Sequence, residues 1–189
     1  MKEIALNILD IVENSVSAGS RNIWITIRES ERENEIVVSV GDDGPGIPAD
    51  ILQNVADPFI TSRTTRKVGL GLPLLKYHAE AAGGYVEVES HTGKGTFVKA
   101  VFVKNHLDRQ PLGDITGTLK VICRIDNVDF FFSYTTDKGD FNLSSAEVRT
   151  YLGVQSLNNQ ALLRGIGDMV RNNLEEISAE GADLSRNDG

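Results

Sequence analysis

The 189-residue chain reads as an α+β protein, a two-layer sandwich in which a mixed sheet is covered on one face by helices. Three observations predict this. The elements run helix, two strands, helices, two strands, an order that suits helices packed on one side of a sheet. The strand at 23–29 alternates Ile23, Ile25 and Ile27 with Trp24, Thr26 and Arg28, so only one of its faces is buried. The first helix has an apolar stripe on one side and a polar line on the other.

That helix spans 3–17. Ile4, Ile8, Ile11, Val12 and Ser15 recur at three- and four-residue steps, while Asn7, Asp10 and Asn14 share a second face. Gly19 stops it. The charged run 29–35 reads as a hairpin loop and 36–40 as the returning, mostly buried strand. Two glycines and two prolines between Asp42 and Pro48 exclude a regular element there. A short helix is expected at 49–55, and the Thr- and Arg-rich stretch 56–68 is expected to form a mobile loop. A second long helix covers 69–82 with Leu70, Leu74, Tyr77, His78 and Ala81 as its stripe, and Gly83-Gly84 ends it. A strand at 85–90, a turn at 91–95 and a closing strand at 96–103 follow.

After Lys104 a small C-terminal α/β unit begins. Leu112, Ile115, Leu119 and Ile122 have helical spacing, weakened by Gly117 and β-branched neighbours. The aromatic run 128–135 is a strand, turned by Lys138-Gly139-Asp140 into a brief strand at 141–143. Ser144 and Glu147 form a capping box before a short helix, and an amphipathic helix runs over 158–177. The expected division is therefore 1–104, 105–179 and a disordered acidic tail at 180–189.

Composition narrows the function classes. Hydrophobic residues make up 40% of the chain, and mean hydropathy is −0.17. No stretch approaches the roughly 18 apolar residues of a membrane span. The N-terminus has no apolar signal core, so a cytoplasmic location is expected. The single cysteine, Cys123, excludes an internal disulfide and reads as a buried thiol. A net charge of −8 argues against nucleic acid as a partner.

Four segments bear the chemistry: Asp-Ile-Val-Glu-Asn at 10–14, Asp-Asp-Gly-Pro-Gly-Ile at 42–47, Gly-Leu-Gly-Leu at 69–72 and Gly-Lys-Gly-Thr at 93–96. Asn14 offers a neutral carboxamide oxygen suited to Mg²⁺, although a lone surface asparagine is the commoner fate. Asp42 is an acceptor-only carboxylate suited to the exocyclic amine of adenine. Gly44 and Gly46 let backbone pass close to a base. Gly69 and Gly71 open a helix whose free N–H groups suit polyphosphate. Arg63, Arg66 and Lys67 either reach a γ-phosphate or form an exposed basic loop.

In order and spacing, these segments resemble the ATP-binding domain shared by histidine kinases, gyrase B, Hsp90 and MutL, over about residues 3–103. The resemblance implies the Bergerat ATP-binding fold, with ATP and Mg²⁺ as ligands and Asn14 as the metal ligand. It assigns Asp42 to the adenine and Gly44, Gly46, Ile47, Gly69, Leu70, Gly71, Leu72 and Thr96 to the nucleotide. Asp10 stands where gyrase B and MutL have a water-activating glutamate and histidine kinases usually have asparagine. It is read either as a catalytic base or metal-water holder, or as a structural residue. Residues 9–23 look most like MutL. The segment from Gly69 through Phe97, and Asp57-Pro58-Phe59, look like a histidine kinase. Asp43 departs from the asparagine more often found at its position.

His78 reads as a core residue, His91 as a turn residue and His106 as the start of the linker, so none suits a phospho-accepting role. The resemblance implies transfer of the γ-phosphate to a separate, unidentified protein. The alternatives are a slow MutL-like ATPase and a non-enzymatic ATP sensor. A homodimer is compatible with each. Membrane and nucleic acid are not expected as partners.

Overall fold

A computed structural model describes residues 3–52 and 71–178. The expected short-helix residues 53–55, the 56–68 loop with its Asp57-Pro58-Phe59 segment, Arg63, Arg66, Lys67, Gly69, Leu70 and the 180–189 tail lie outside the described residues. The elements are α1 (Ile4–Ala18), β1 (Asn22–Ser30), β2 (Glu35–Asp42), α2 (Ala49–Leu52), α3 (Gly71–Ala81), β3 (Tyr85–His91) and β4 (Gly95–Val103). They continue as α4 (Ile115–Ile122), β5 (Asp129–Thr136), β6 (Gly139–Ser144), α5 (Ser145–Leu152) and α6 (Gln160–Ile177).

The strands form one sheet in the order β3-β4-β2-β1-β5-β6. Every pairing is antiparallel except β1 with β5, which makes the sheet mixed. Because β5 lies beside β1 (Ile25 opposite Phe132), the two strands after Lys104 continue the N-terminal sheet. Ile23, Ile25 and Ile27 of β1 share one hydrophobic core with Phe130, Phe132 and Tyr134 of β5 and with residues of α1, α3, α4 and α6. On the opposite face Trp24 and Phe131 are exposed. These two residues, neighbours across the β1–β5 pair, stack with ring centroids 6.0 Å apart.

Local chemistry accounts for the element ends. Gly19, at φ 94°, caps α1 by donating its N–H to the carbonyls of Ser15 and Val16. Asp114 caps α4, its carboxylate accepting from the Gly117 N–H at 2.7 Å. That cap starts a helix whose Gly117 and β-branched residues favour it only weakly. Leu112 falls outside α4. The Ser144 hydroxyl accepts from the Glu147 N–H at 3.3 Å, and Asn159 caps α6 through the N–H groups of Ala161 and Leu162. Cys123 is buried, and desolvation pushes its thiol up to about 12, so it remains an unionised core residue.

Two expectations need correction. The stripe expected on α3 is out of phase: Tyr77 is 66% exposed and Ala81 is also exposed, whereas Leu72, Leu75, Ala79 and the following Ala82 are buried. Apolar residues occupy nearly every side of this helix, so spacing alone did not select the buried one. The run 29–35 is also not all loop. β1 continues to Ser30, and Glu29 is only 3% exposed.

Glu29 is buried because partners meet it. The Tyr134 hydroxyl on β5 donates to its carboxylate, and Lys104 Nζ lies 3.1 Å from Glu29 Oε2 and 2.7 Å from Glu31 Oε1. Burial penalises the Lys104 ammonium, but Glu31 and Glu29 outweigh this and raise its pKa above the ordinary lysine value. Removing one partner strands a charge, whereas removing both leaves little to desolvate. Lys104→Met is therefore expected to cost about 3 kcal/mol in urea unfolding, near the low end for a buried pair because Tyr134 still serves Glu29. Adding Glu29→Leu should recover most of that loss. A double variant less stable than Lys104→Met alone would contradict this account.

Candidate nucleotide site

The site is built around the end of β2. Asp42 accepts from the Ser15 hydroxyl of α1 at 2.7 Å through Oδ2, and from the Ser20 hydroxyl at 3.1 Å and the Gly44 N–H at 2.8 Å through Oδ1. A carboxylate has about four lone-pair positions. Three are filled by the protein, so Oδ2 retains one for an external donor such as an exocyclic amine. These contacts also fix the carboxylate's direction.

The glycine turn after Asp42 rests on the β3–β4 hairpin. Gly46 has φ 70°, and a Cβ there would strike the His91 carbonyl. Gly95 has φ 100°, and a Cβ would strike the Asp42 carbonyl. Both positions demand glycine by backbone conformation and by space. The Ile47 N–H donates to Ser90 Oγ at 2.7 Å, and Ser90 Oγ lies 2.9 Å from Thr96 Oγ1. Thr96 is directly opposite Asp42 in the β2–β4 register. Thus Asp42, Gly44, Gly46 and Ile47 of one segment meet Thr96, distant in sequence, at one end of the sheet.

Asp43 has a separate task. Its carboxylate accepts from the N–H groups of Arg21 and Asn22 at 2.7 and 2.8 Å, and from Asn22 Nδ2 at 2.7 Å. Burial pushes its pKa up, but the donors from Asn22 and Arg21 outweigh that and lower it. An asparagine could not accept at both side-chain positions, which gives the aspartate a structural reason.

The other end of the site lies between α1 and α3. Asp10 packs so closely on Gly71, at the start of α3, that a Cβ on residue 71 would overlap its carboxylate. Asp10 Oδ2 is buried with no hydrogen-bond partner among the described residues, and burial raises its pKa. Asn14 is half-buried one helical turn further along the same face. Leu72 has its side chain in the core, so its backbone is what remains for a ligand. No cluster of three or more His, Cys, Asp or Glu side chains suited to a metal occurs among the described residues. A magnesium ion held by Asn14 would therefore take further ligands from phosphate oxygens and water, and the orphaned Asp10 oxygen fits such a hydrated ion.

Ser15, Ser20 and Ser90 join the candidate site through their hydrogen bonds to Asp42, Ile47 and Thr96, and no motif in the sequence points to them. The spacing of Ser15 places it in the apolar stripe. It is indeed buried, but its hydroxyl serves Asp42. Of the histidines, His78 is half-buried in α3 and burial lowers its pKa, while the His106 ring accepts from the Asp108 N–H at 3.2 Å.

The Asp10 environment predicts a pH-dependent stability difference. A raised folded-state pKa means that the ionised carboxylate is penalised, so Asp10→Asn should melt at a higher temperature than the wild type at neutral pH. The advantage should be complete above the folded pKa and vanish as pH falls below the ordinary carboxylate value of about 3.9. Thermal melts between pH 3.5 and 8 check this. A variant less stable at neutral pH would contradict it.

The comparisons agree with this geometry. Residues 2–106 match the family model described as histidine kinase-, DNA gyrase B-, and HSP90-like ATPase. Sporulation kinase A of Bacillus subtilis is 34% identical over 105 residues, which cover 55% of this chain and 16% of that protein. Sporulation kinase C of the same organism is 29% identical over 101 residues, covering 53% and 23%. The matched stretch thus spans less than a quarter of either relative's length. A crystal structure of the N-terminal domain of a DNA repair protein is alike in fold, with a TM-score of 0.51 and 18% identity over 76% of this chain and 53% of that one. No described helix is long and apolar enough to cross a membrane. With more than half of its length matched, and the matched segments meeting at the end of β2 and between α1 and α3, the chain belongs to the histidine kinase-, gyrase B- and HSP90-like ATPase family, and its N-terminal part is an ATP-binding domain of the histidine-kinase-like type.

Proposed function

We propose that this chain binds Mg-ATP and transfers the γ-phosphate to a separate protein in a signalling or regulatory pathway. The observation that supports it most is the two-ended site. An oriented Asp42 retains acceptor capacity at one end, and the polar face of α1 meets the start of α3 at the other. The sensor and sporulation kinases among the relatives support the kinase reading.

In this reading Asp42 accepts from the adenine N6 amine, and Thr96 lies beside the base. Asn14 would hold the magnesium, which neutralises charge on the phosphates when bound. Gly71, with Gly69, Leu70 and the upstream Arg63, Arg66 and Lys67, is assigned to the phosphates. The acceptor's nucleophile forms a bond to the γ-phosphorus as the bond to the bridging oxygen breaks, and ADP leaves. Phosphoryl transfer of this kind depends mainly on positioning and charge stabilisation.

A second reading is favoured by one observation, the position of Asp10. A carboxylate with a raised pKa and an unpartnered oxygen at the phosphate end suits a base for an attacking water. Asp10 would then take the water's proton as the oxygen joins the γ-phosphorus, releasing phosphate and ADP. The cytoplasm is the expected compartment, and residues 105–179 are the proposed surface for a protein partner or a second copy.

Asp42→Asn should remove most ATP binding in calorimetry, because an amide donor would face the adenine amine where an acceptor is needed. Equal affinity in the two proteins would remove Asp42 from the adenine site. Labelled ATP decides the reaction. The kinase reading expects label on a separate protein from cell extract, lost with Asn14→Ala, and none on this chain. Free phosphate that disappears with Asp10→Asn, without labelled protein, would establish hydrolysis instead. Tight binding with no turnover would leave an ATP sensor, and acid-labile label on the chain itself would overturn transfer to a separate protein.

A further inference from the structure

The segment that follows the ATP-binding domain holds the start of α1. Glu3, the residue before that helix, makes no side-chain cap. Instead the N–H groups of Ile4 and Ala5 donate to the carbonyls of Pro111 and Leu112 at 3.0 and 2.8 Å. The Asp114 N–H donates to the Glu3 carboxylate at 3.4 Å. These contacts satisfy donors that a helix N-terminus otherwise leaves open.

One turn further on, Asn7 is 1% exposed. Its Nδ2 donates to Gln110 Oε1 at 3.3 Å and to the Glu3 carbonyl at 3.4 Å, while its Oδ1 has no partner among the described residues. Gln110 is anchored in turn. The Arg109 guanidinium donates to the carbonyls of Lys104 and Gln110, tying this segment to the buried Lys104 cluster.

Asn7 precedes Asp10 by three residues, so their Cβ atoms are neighbours about 5–6 Å apart on one helix face. The adjoining face, Ile4, Ile8, Ile11 and Val12, packs by apolar contact, which has little directional preference. A hydrogen bond does have one. Ser15 supplies such a contact toward the C-terminal end of α1, through Asp42. The Asn7–Gln110 bond supplies it on the N-terminal side of Asp10.

We propose that Gln110, acting through Asn7, is a positioning residue for the phosphate end of the site: it sets the rotation of the first turns of α1 and so the approach of Asp10 and Asn14 to the start of α3. The proposal rests on the reading above only in placing the phosphates between α1 and α3, and it does not require turnover.

Calorimetry of the full chain with ATP and with ADP, both with excess magnesium, tests it, because the two nucleotides differ only in the γ-phosphate. Gln110→Met removes the acceptor at similar volume, and Asn7→Leu removes the group on which it acts. Gln110→Met is expected to reduce the preference for ATP over ADP about fivefold to tenfold, the size set by a single hydrogen bond. ADP affinity should stay within about twofold of wild type. In the Asn7→Leu background, adding Gln110→Met should change the preference no further, since residues acting through one contact are non-additive. A Gln110→Met protein with unchanged preference overturns the proposal. So does equal weakening of ATP and ADP, which indicates general loosening, or additive effects in the double variant, which indicate action by another route. A wild type without preference for ATP also overturns it. Failure of phosphoryl transfer with an intact ATP preference would refute the proposed reaction alone.

Discussion

Helix α1 must bury one face and expose chemistry on another, and the site depends on holding both faces in register. Its isoleucines and Val12 lie in the core, while Asp10 packs against the start of α3. Apolar packing turns the apolar stripe toward the core but sets the helix's rotation less sharply than a directional bond does. Directional bonds near each end supply what packing lacks: Ser15 to Asp42 toward the C-terminal end, and the backbone of 111–112 with the Asn7–Gln110 pair at the N-terminal end. The Ser15 bond joins the two ends of the candidate site, because the side chain that orients the Asp42 carboxylate sits on the helix that carries Asp10 and Asn14.

The same economy appears in the sheet. β1 lies between an antiparallel neighbour, β2, and a parallel one, β5. A parallel partner cannot come from a tight hairpin, so the chain completes β4 and α4 before β5 returns to β1. Near the C-terminal end of β1, Glu29 meets Tyr134 from β5 and Lys104 from just beyond β4. Buried charge is costly unless paired. This cluster therefore favours the arrangement in which the three chain segments converge, and it links residues after Lys104 to the ATP-binding part.

Much of this was legible before any coordinates. The strand alternation at Ile23, Ile25 and Ile27 gave the buried face of β1, and the Asn7, Asp10 and Asn14 spacing gave the polar line on α1. The DDGPGI and GKGT segments each read as a glycine turn, and the structure packs them against each other. The phase of α3 was not legible, because its sequence has apolar residues on most sides. Nor were the burial of Glu29 and the bond from Ser15 to Asp42, since each depends on a residue far away in sequence.

The family, the fold class and the helix and strand order are carried by the sequence alone, because they follow from local periodicity and from short motifs that are complete within a few residues. The tertiary structure alone decided that β5 pairs with β1, that Glu29 is buried, which side of α3 faces the core and that Gln110 meets Asn7. Each of those depends on which distant segment lies alongside. Pairing register and the cost of an unpaired buried group are properties of the assembled fold, and no window of the sequence contains both partners.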